Sequence, residues 1–527
     1  MIQRSAGKVR SSISISASAL LILSLFAIAT QILHSPTTAS AWTTPRTISS
    51  QFRSYSRSSI ASTSTSAIKM ADSSAAAGSK PKPKLPIPDP VFSATPGTFA
   101  YDTMSRRVDQ EILQRTFDDN KDVWETTEFK DVLERFNTLR YELQHAGDTK
   151  LALPLEPPTG CSEARRTEWE EWKQIMDPFV SKGDTWLTAP WMVAEFYVYR
   201  RLLVDVIQYW DENNRDSSGK NPGYLYDPFI KQKRAGLVSS VASAEGVLGK
   251  INNLVASDED SIDQGTRLAA SIALWGNKMD LSLWPADTKT ATQDIFSAIL
   301  DKATEGLLHD DSSLLVEHFE KLKAQGGGNI DIIVDNAGFE LITDLSLAQY
   351  LVESGIAKCV TFQLKSHPTF VSDAMESDLL EHVNHFAELP DDQGAYPNVK
   401  LSGSKWQEYL KDGRWKCTEN NFWVQGFSMW DMTEPLWSDM HERCDLAFVK
   451  GDANYRRLLG DCTWDVSEAS FQDVVGHYFP CPVTALRTLK AEVGCGMEAD
   501  QVERAGKLDP NWQTNGRFGV LQFGTGC

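Results

Sequence analysis

The chain has 527 residues, which is too long for one simple core and predicts two large folded units. It carries 71 acidic and 52 basic side chains, for a formal charge of −19, so it is not a general nucleic-acid binder. Hydrophobic residues make up 41% of the chain and aromatic residues 10%, which excludes disorder of the whole molecule.

The first 71 residues contain no acidic side chain, although several Lys and Arg occur among them. A basic start is followed by an apolar stretch from Ala17 to Ile32 and by the small-residue segment Ala39–Ala41, the layout of a secretory signal. The apolar stretch is short and interrupted by Ser and Thr, so no membrane span is expected in the mature protein. The Ser-, Thr- and Arg-rich segment that continues to Lys69 is typical of an organelle transit peptide.

A signal followed by a transit-like segment resembles the bipartite plastid presequences of algae with secondary plastids, with Trp42 here in place of the usual Phe. We therefore predict a plastid presequence over residues 1–71. The composition also fits a plain secretory signal, a mitochondrial presequence, or a start near Met70 that would leave the protein in the cytoplasm. The Pro-rich run KPKPKLPIPDP then predicts an extended linker over residues 72–95, with the folded part beginning near Phe92.

The pattern of apolar residues changes at the Gly-rich segment 326–328. Before it, apolar residues recur at spacings of three and four, which predicts an all-helical domain over residues 96–325. After it, short β-rich runs alternate with helical stretches, which predicts a three-layer α/β/α, Rossmann-like domain with a mostly parallel sheet over residues 326–527. The clearest predicted helices are 106–117, 130–143, 191–209 and 236–254, and the predicted strands are 330–334, 360–364, 422–424, 446–449, 483–486 and 518–523.

Acidic and amide side chains follow the first two predicted strands. Asp335 and Asn336 end the first strand, and Asp373 follows the second. Ligands of open α/β sheets bind beyond the carboxyl ends of the strands, and such oxygens are hard ligands suited to Mg²⁺ or Mn²⁺. The same residues also suit the caps of the helices that follow them.

Cationic and polar side chains follow two later strands. One strand leads through Gly451 into Asp452-Ala-Asn-Tyr-Arg456, and another ends in Arg487-Thr-Leu-Lys490. Arg and Lys that gather on one rim of so acidic a chain favour a phosphate-binding pocket. A solvated helix start explains the first of these segments equally well. The eight cysteines include no C-x-x-C pair, so no structural zinc site is indicated.

Together these motifs resemble the metal-dependent damage-control phosphatase family, formerly a domain of unknown function. The closest likeness is to its eukaryotic Arg-Thr-x-Lys, acidic residue methyltransferase-like branch. The resemblance covers roughly residues 96–523 and includes helical segments 186–203 and 274–283. The segments that carry it, in family order, are Asp335–Glu340, Phe370–Asp373, Lys450–Leu458 and Arg487–Lys490.

The resemblance implies a divalent-metal phosphatase for sugar phosphates such as fructose 1-phosphate and fructose 6-phosphate. It implies that Asp335, Asn336 and Asp373 are the catalytic metal ligands, with Mn²⁺, Co²⁺, Ni²⁺ or Mg²⁺ as the ion. The implied partners are small phosphorylated metabolites, with no nucleic acid; the oligomeric state is not predicted. The implied substrate-binding residues are Asp335, Asn336, Asp452, Ala453, Asn454, Tyr455, Arg456 and Lys490, of which Ala453 departs from the larger apolar residue usual in the family.

An alternative activity also follows from the resemblance, namely S-adenosylmethionine-dependent methylation of protein glutamates, in which Glu340 and Asp373 would contact the cofactor. The sequence supports it little, because the Gly-rich segment precedes the first strand, whereas a Rossmann-type cofactor turn follows it. In the helical part, the polar residues Glu195, Arg200, Arg201, Asn277 and Asp280 are candidates to cover the site. Buried polar bridging between helices explains them as well, and we favour it.

We expect a fluorescent reporter fused behind residues 1–71 to accumulate in the plastid of an alga with a secondary plastid. The acid-free composition and the two-part layout are the reason. A reporter fused to a chain that starts at Met70, and therefore lacks the leader, should stay in the cytoplasm. Secretion of the first fusion, or its import into mitochondria, would contradict the plastid prediction.

Overall fold

The computed structural model describes residues 80–208, 226–256, 262–276, 304–390 and 395–527. The predicted presequence, the first part of the predicted linker, and Asn277 and Asp280 lie outside these ranges. From Gly78 to Cys527 the chain forms one compact unit.

A helical part with its own buried cluster comes first in the chain. Ser162 and Gly183 show how one helix is delimited: the Ser162 side chain accepts a hydrogen bond from the N–H of Arg165, and Gly183 ends the helix in the left-handed conformation at φ 79°. Trp124, Trp172 and Tyr197 lie fully buried in the cluster, so these aromatic side chains form part of its core. The helices are α1 (Phe99–Asp102), α2 (Gln114–Trp124), α3 (Lys130–Gln144), α4 (Glu163–Lys182) and α5 (Trp191–Arg200), with π-helical segments at Thr103–Leu113 and Arg201–Gln208.

Two long helices, a strand and a further helix lead into the sheet. They are α6 (Ile230–Ala256), α7 (Ile262–Trp275), β1 (Leu307–Asp310) and α8 (Ser312–Ala324). The remaining elements are β2 (Gly328–Ile333), α9 (Phe339–Glu353), β3 (Ala357–Lys365), α10 (Glu376–Ala387), α11 (Pro397–Asp412), β4 (Trp415–Asn420), α12 (Leu436–Arg443), β5 (Leu446–Lys450), α13 (Asp452–Leu458), β6 (Val483–Thr488), α14 (Ala499–Leu508) and β7 (Gly519–Gly524).

The described strands form one sheet of seven, in the order β1-β7-β6-β5-β2-β3-β4. Strands β6, β5, β2, β3 and β4 run parallel to one another. Strand β7 runs antiparallel to β6, and β1 pairs with β7 at the edge. The mostly parallel sheet predicted from the sequence is therefore confirmed.

Side chains alternate between the two faces of this sheet, as the two-residue period of a strand requires. Ile330 and Ile332 of β2 enter one buried cluster, whereas Ile333 enters another. Helices α6 to α11 pack against the first cluster, and α12 to α14 pack against the second. The predicted three-layer α/β/α architecture is thus confirmed. Helices α6 and α7 and strand β1 pack in these layers, so their contacts cross the boundary predicted between residues 325 and 326.

One predicted strand is wrong. Residues 422–424 belong to the 3-10 helix Asn421–Val424, and the edge strand β4 ends just before it. The side chain of Asn420 accepts a hydrogen bond from the N–H of Phe422 at 2.8 Å, which closes a turn where a strand would have to continue. A run of three apolar residues does not distinguish a strand from a short buried turn.

The Pro-rich segment is extended and is bound along the fold, and we call residues 80–92 the N-terminal strap. Val91 donates a backbone hydrogen bond to Asp461 and accepts one from Trp191, each at 2.8 Å. The N–H of Thr463 donates to the carbonyl of Asp89 at 3.0 Å. Residues before Phe92, where the folded part was predicted to begin, are therefore already bound to the fold. The strap lysines pair with acids of the α/β part: Lys80 with Glu434, Lys82 with Asp431, and Lys84 with Asp473.

Within the described ranges, no helix combines the length and the apolar character that a bilayer crossing requires.

We expect the free energy of unfolding of a chain that starts at Ser93 to be about 3 kcal/mol lower than that of a chain that starts at Lys80. The shorter chain loses the backbone hydrogen bonds between the strap and the fold, and each is worth about 1 kcal/mol. Urea unfolding of the two chains measures the difference. Lys82→Ala serves as the control and should change little, since its ion pair with Asp431 is exposed. Equal stability of the two truncated chains would show that the strap contributes nothing.

Candidate metal and phosphate site

The predicted site residues lie at the switch point of the sheet. From β2 the chain passes to β3 and β4 on one side, and β5 and β6 lie on the other side. Such a switch opens a crevice beyond the carboxyl ends of the strands, where open α/β sheets bind ligands. Asp335 follows β2, Asp373 follows β3, Asp452 follows β5 and Lys490 follows β6.

A short antiparallel bridge holds the three predicted ligands side by side. Asn336 pairs with Asp373 across it. The N–H of Ala337 donates to the carbonyl of Ser372 at 2.7 Å, and the N–H of Ala374 donates to the carbonyl of Asp335 at 2.8 Å. The structure therefore brings Asp335, Asn336 and Asp373 together, although 36 residues separate Asn336 from Ser372.

The two carboxyl groups are buried, with Asp335 5% and Asp373 1% exposed. Burial raises the pKa of Asp335 well above its usual value, and the nearby Asp373 and Glu340 raise it further. Burial likewise raises the pKa of Asp373 to about 6, although Lys365, with its Nζ 3.3 Å from the carboxylate, favours the charged form. The positive charge near these two acids is therefore too small to keep both of them ionised at their usual pKa.

The amide of Asn336 is oriented by three hydrogen bonds. Its Nδ2 donates to Asp335 at 2.8 Å and to Glu340 at 3.0 Å. Its Oδ1 accepts a hydrogen bond from the hydroxyl of Ser372 at 2.6 Å. A flipped amide would place oxygen against two carboxylates, so this network selects one orientation.

Lys365 forms a buried ion pair with Asp373. Its ammonium group also donates to Oδ1 of Asn454 at 3.0 Å. Asn454 in turn donates to the carbonyl of Val334 at 3.1 Å and to that of Lys450 at 2.9 Å. Burial lowers the pKa of Lys365, and the neighbouring Asp373 and Asp335 counteract this. Asn454 thus ties the start of α13 to the end of β2, and it reaches the site through Lys365.

Gly451 lets β5 pass close to Asp335. It has φ 81°, and a Cβ at this position would overlap the carboxylate of Asp335. Only glycine combines this backbone conformation with the close approach. The turn after β5 is therefore shaped around the acid at the end of β2.

Asp452 and Lys490 border the site on the side of β5 and β6. Oδ1 of Asp452 accepts hydrogen bonds from Nε of Arg487 at 2.8 Å and from the backbone N–H of Lys490 at 2.9 Å. The Nζ of Lys490 makes no hydrogen bond and no ion pair within 4.0 Å in the part of the chain that the structure describes. Burial alone would lower the pKa of Lys490, but Glu340, Asp335 and Asp452 raise it. Lys490 is thus a charged cation that is available to an anion.

Other predicted substrate-binding side chains are engaged elsewhere. The hydroxyl of Tyr455 donates to Gln522 at 2.7 Å, and its ring lies 4.4 Å from the guanidinium of Arg487. Arg456 is bound by Asp461 at 2.8 and 3.0 Å and by Glu195 at 2.7 Å. Ala453 is partly exposed at the start of α13. The structure therefore brings Asp452 and Lys490 to the site, whereas Tyr455 and Arg456 hold the segment in place.

The polar candidates of the helical part divide in two groups. Glu195 reaches the α/β part through Arg456. Arg200 pairs with Glu168 and Asp205, and Arg201 pairs with Glu142 and Asp205, so these two arginines bridge helices as favoured from the sequence. Asn277 and Asp280 lie outside the described residues.

Sequence reasoning missed several residues that support the site. Ser372 and Lys365 contact the predicted ligands directly, as described above. Nε2 of His382 accepts a hydrogen bond from the N–H of Gly338 at 2.9 Å, at the turn that leads into α9. The only signal for Lys365 was a cation at the end of a predicted strand. Ser372 was noted only as a member of the Phe370–Asp373 segment, and His382 gave no signal, because its partner is 44 residues away.

The donor set fits a divalent cation. Oδ1 of Asp335 is buried and has no hydrogen-bond partner, so one carboxylate oxygen is unsatisfied. In the described residues, no group of three or more His, Cys, Asp or Glu side chains is gathered closely enough to ligate a metal ion. A site here therefore has to include the amide of Asn336 with the two carboxylates, which is a hard, oxygen-only set of the kind that Mg²⁺ and Mn²⁺ accept.

The Gly-rich segment lies at the amino-terminal ends of the strands, opposite to the site. Gly328 begins β2, and the predicted ligands follow the other end of that strand. A nucleotide-binding turn would lie after the strand, next to Asp335. Glu340 and Asp373 do lie at the site, but the turn between β2 and α9 holds the single glycine Gly338 and not a Gly-rich run.

Fold and site together define a three-layer α/β protein with a cation-demanding acidic crevice and an available lysine at its switch point. The family described as "Damage-control phosphatase ARMT1-like domain" matches residues 103–505. The chain therefore belongs to the ARMT1-like damage-control phosphatase family, which confirms the resemblance seen in the sequence.

Vertebrate relatives match over most of the chain. Damage-control phosphatase ARMT1 of Danio rerio is 31% identical over 81% of this chain and 95% of its own length. The Homo sapiens protein of the same name is 28% identical over 81% of this chain and 96% of its own length. A solved DUF89 family protein from Pyrococcus horikoshii aligns at 16% identity with a TM-score of 0.33, over 69% of this chain and 92% of that one.

We expect the buried Asp373 to make the metal-free protein less stable as the pH rises. Its folded-state pKa of about 6 exceeds the unfolded value of 3.8. Between these two values the folded state binds more protons than the unfolded chain, so stability falls as pH rises. Wild type should thus lose stability relative to Asp373→Asn between about pH 4 and pH 6, in urea unfolding with chelator.

Asp465 provides a control of opposite sign. Its carboxylate accepts backbone hydrogen bonds from Ser467 and Glu468, which lower its pKa. Wild type should gain stability relative to Asp465→Asn as the pH rises through the acidic range. If both comparisons show the same pH trend, the burial argument for Asp373 is wrong.

Proposed function

We propose that this member of the damage-control phosphatase family is a divalent-metal-dependent enzyme that hydrolyses phosphomonoesters of small sugar phosphates. The observation that carries the proposal is the pair of buried carboxyl groups beside an oriented amide, with the uncommitted ammonium of Lys490 next to them. Family membership supports a phosphatase in metabolite repair.

Asp335, Asn336 and Asp373 would hold the ion. A bound divalent ion would supply charge neutralisation on the phosphate and a lowered pKa for an attacking water. Lys490 would bind the phosphate oxygens, whose charge redistributes as the bond to the leaving oxygen breaks. The acids that surround Lys490 keep it protonated for this role.

Water is the nucleophile that the local sequence favours. Aspartyl-phosphate phosphatases use an Asp-x-Asp pattern, and here Ala337 stands where the second acid would be. Asp452 would accept a hydroxyl of the sugar. Its Oδ1 is committed to Arg487 and Lys490, which leaves Oδ2 for the substrate.

The methyltransferase alternative has no separate structural observation in its favour. Calorimetric titration with S-adenosylmethionine tests it directly. Saturable binding that is lost in Glu340→Gln would support it, whereas no binding would remove it.

We expect phosphate release from fructose 1-phosphate or fructose 6-phosphate in the presence of Mn²⁺, Co²⁺, Ni²⁺ or Mg²⁺. Asp335→Ala should lower kcat/KM by at least about 100-fold, because it removes a ligand and one of the three hydrogen bonds that orient Asn336. Lys490→Met should cost about 100-fold or more through loss of transition-state charge stabilisation.

Lys358→Met is the matched control for Lys490→Met. Lys358 is exposed on β3, at the end of the strand opposite to the site. This variant should keep wild-type activity. No phosphate release with any of the four ions, or full activity of Asp335→Ala, would overturn the proposal.

A further inference from the structure

The chain reverses direction abruptly between β3 and Asp373. Strand β3 runs parallel to β2, yet residues 372–374 return antiparallel to residues 335–337. The N–H of Lys365 donates to the carbonyl of Ala374 at 3.1 Å, so the loop closes on the end of its own strand. Few residues are available for this reversal.

Two residues in the left-handed region make the reversal. Phe370 has φ 44° and Val371 has φ 68°. The N–H of Ser372 donates to the carbonyl of Phe370 at 2.8 Å, which closes a three-residue turn around Val371. A turn of this kind with positive φ is rare and strained, and a β-branched residue at its centre is a marked outlier. Such strain persists only where the surrounding structure enforces it.

The helical part of the molecule enforces it. The ring of Phe370 lies edge-on to that of Phe196 at 4.7 Å and contacts that of Tyr199 at 4.9 Å. Val371 packs against the same helical cluster. Glycine would adopt this turn without strain but would lose both contacts. The apolar side chains at these two positions are therefore explained by their packing and disfavoured by their backbone conformation.

The turn sets the position of Ser372, the next residue. The Ser372 hydroxyl donates to Oδ1 of Asn336, and the Ser372 carbonyl accepts from Ala337. Asp373 follows immediately and pairs with Asn336. Any shift of the turn would therefore move Asp373 and the amide of Asn336 together.

We infer that the Phe370–Ser372 turn is a positioning device for the metal ligands, and that the helical part holds it through Phe196 and Tyr199. Phe370, Val371 and Ser372 are positioning residues, which act through Asn336 and Asp373. The inference rests on the proposed function in so far as these ligands are those of the proposed ion. The helical part thereby tunes the affinity of a site to which it contributes no ligand.

Two variants of the full-length chain test the turn itself. Val371→Gly removes the strain and the packing contact, and Ser372→Ala removes the hydroxyl that orients Asn336. Each should weaken Mn²⁺ binding in calorimetry about 10-fold or more, the usual effect of losing a residue that supports a metal ligand. Val371→Gly should also unfold at no lower urea concentration than wild type in chelator, because glycine relieves the left-handed backbone. Ser372→Thr keeps the hydroxyl and should restore most of the affinity.

The clamp is tested by a pair of matched substitutions in the helical part. Phe196→Leu removes the ring that contacts Phe370 and should weaken Mn²⁺ binding. Phe117→Leu removes a ring from the Phe117–Phe136 pair of the same cluster and should lower stability while leaving the affinity unchanged. Equal Mn²⁺ affinity in wild type, Val371→Gly and Phe196→Leu would overturn the inference, as would a Val371→Gly protein that loses stability but keeps its affinity.

Calorimetry separates this inference from the phosphatase proposal. If Mn²⁺ binds the wild type and the variants weaken it while no phosphate is released, the positioning device stands and the proposed reaction fails. If phosphate is released and the variants bind Mn²⁺ like wild type, the reaction stands and the positioning device fails. A wild-type chain that binds no Mn²⁺ overturns both.

Discussion

Two carboxylates that lie side by side in a buried crevice are the constraint from which the rest of the site follows. Asp335 and Asp373 cannot both ionise at low cost unless positive charge is brought to them. The protein supplies only part of it, from Lys365 below and Lys490 at the rim. The two carboxyl groups stay together despite this electrostatic cost because the backbone holds them in place. It does so through the bridge between Asn336 and Asp373 and through the glycine turn at Gly451. What remains is a local demand for a cation in a protein that is acidic overall.

The helical part and the sheet meet around this crevice through buried polar and aromatic contacts. Arg456 joins Glu195 of α5 to Asp461 and lies 3.5 Å from the ring of Trp191. Lys233 of α6 is held between Asp227 and Asp378. Removing one member of such a buried cluster leaves an unpaired charge, which costs far more than the pair contributes. The two parts are therefore bound to each other at the very place where the ligands lie.

The sequence carried enough information to locate the site but too little to build it. Apolar runs that are followed within a few residues by Asp335, Asp373 and Lys490 identified the strand ends, because polar side chains after a buried strand are typical of a ligand site at that end of the sheet. Their proximity followed from a rule for parallel sheets, and the strand order confirmed it. The supporting contacts were out of reach, since Arg456 meets Glu195 across 261 residues.

Conformation was equally hidden at some positions. Phe370 and Val371 have positive φ although neither is Gly or Asn, the residues that would predict it. Long-range packing overrides the preference of their own residue types for negative φ. The apolar run at residues 422–424 was misjudged for a related reason: one Asn side chain, at position 420, decides between strand and turn. Tyr455 and Arg456 lie in a motif segment, yet their side chains serve the frame around the site.

The N-terminal strap imposes an order on folding. It is among the first described residues to be synthesised, and its partners come late, with 389 residues between Lys84 and Asp473. As a chain emerges from a ribosome or a translocation pore with its N-terminus first, Trp191 is the early partner of the strap, and the contacts with Asp461, Thr463 and Asp473 form only after that segment has followed. Complete docking of the strap is therefore a late event, which requires the segment that follows β5 but not the later strands β6 and β7. A chain cut short before Asp461 lacks these later partners of the strap, and an extended segment without its contacts is more exposed to proteolysis.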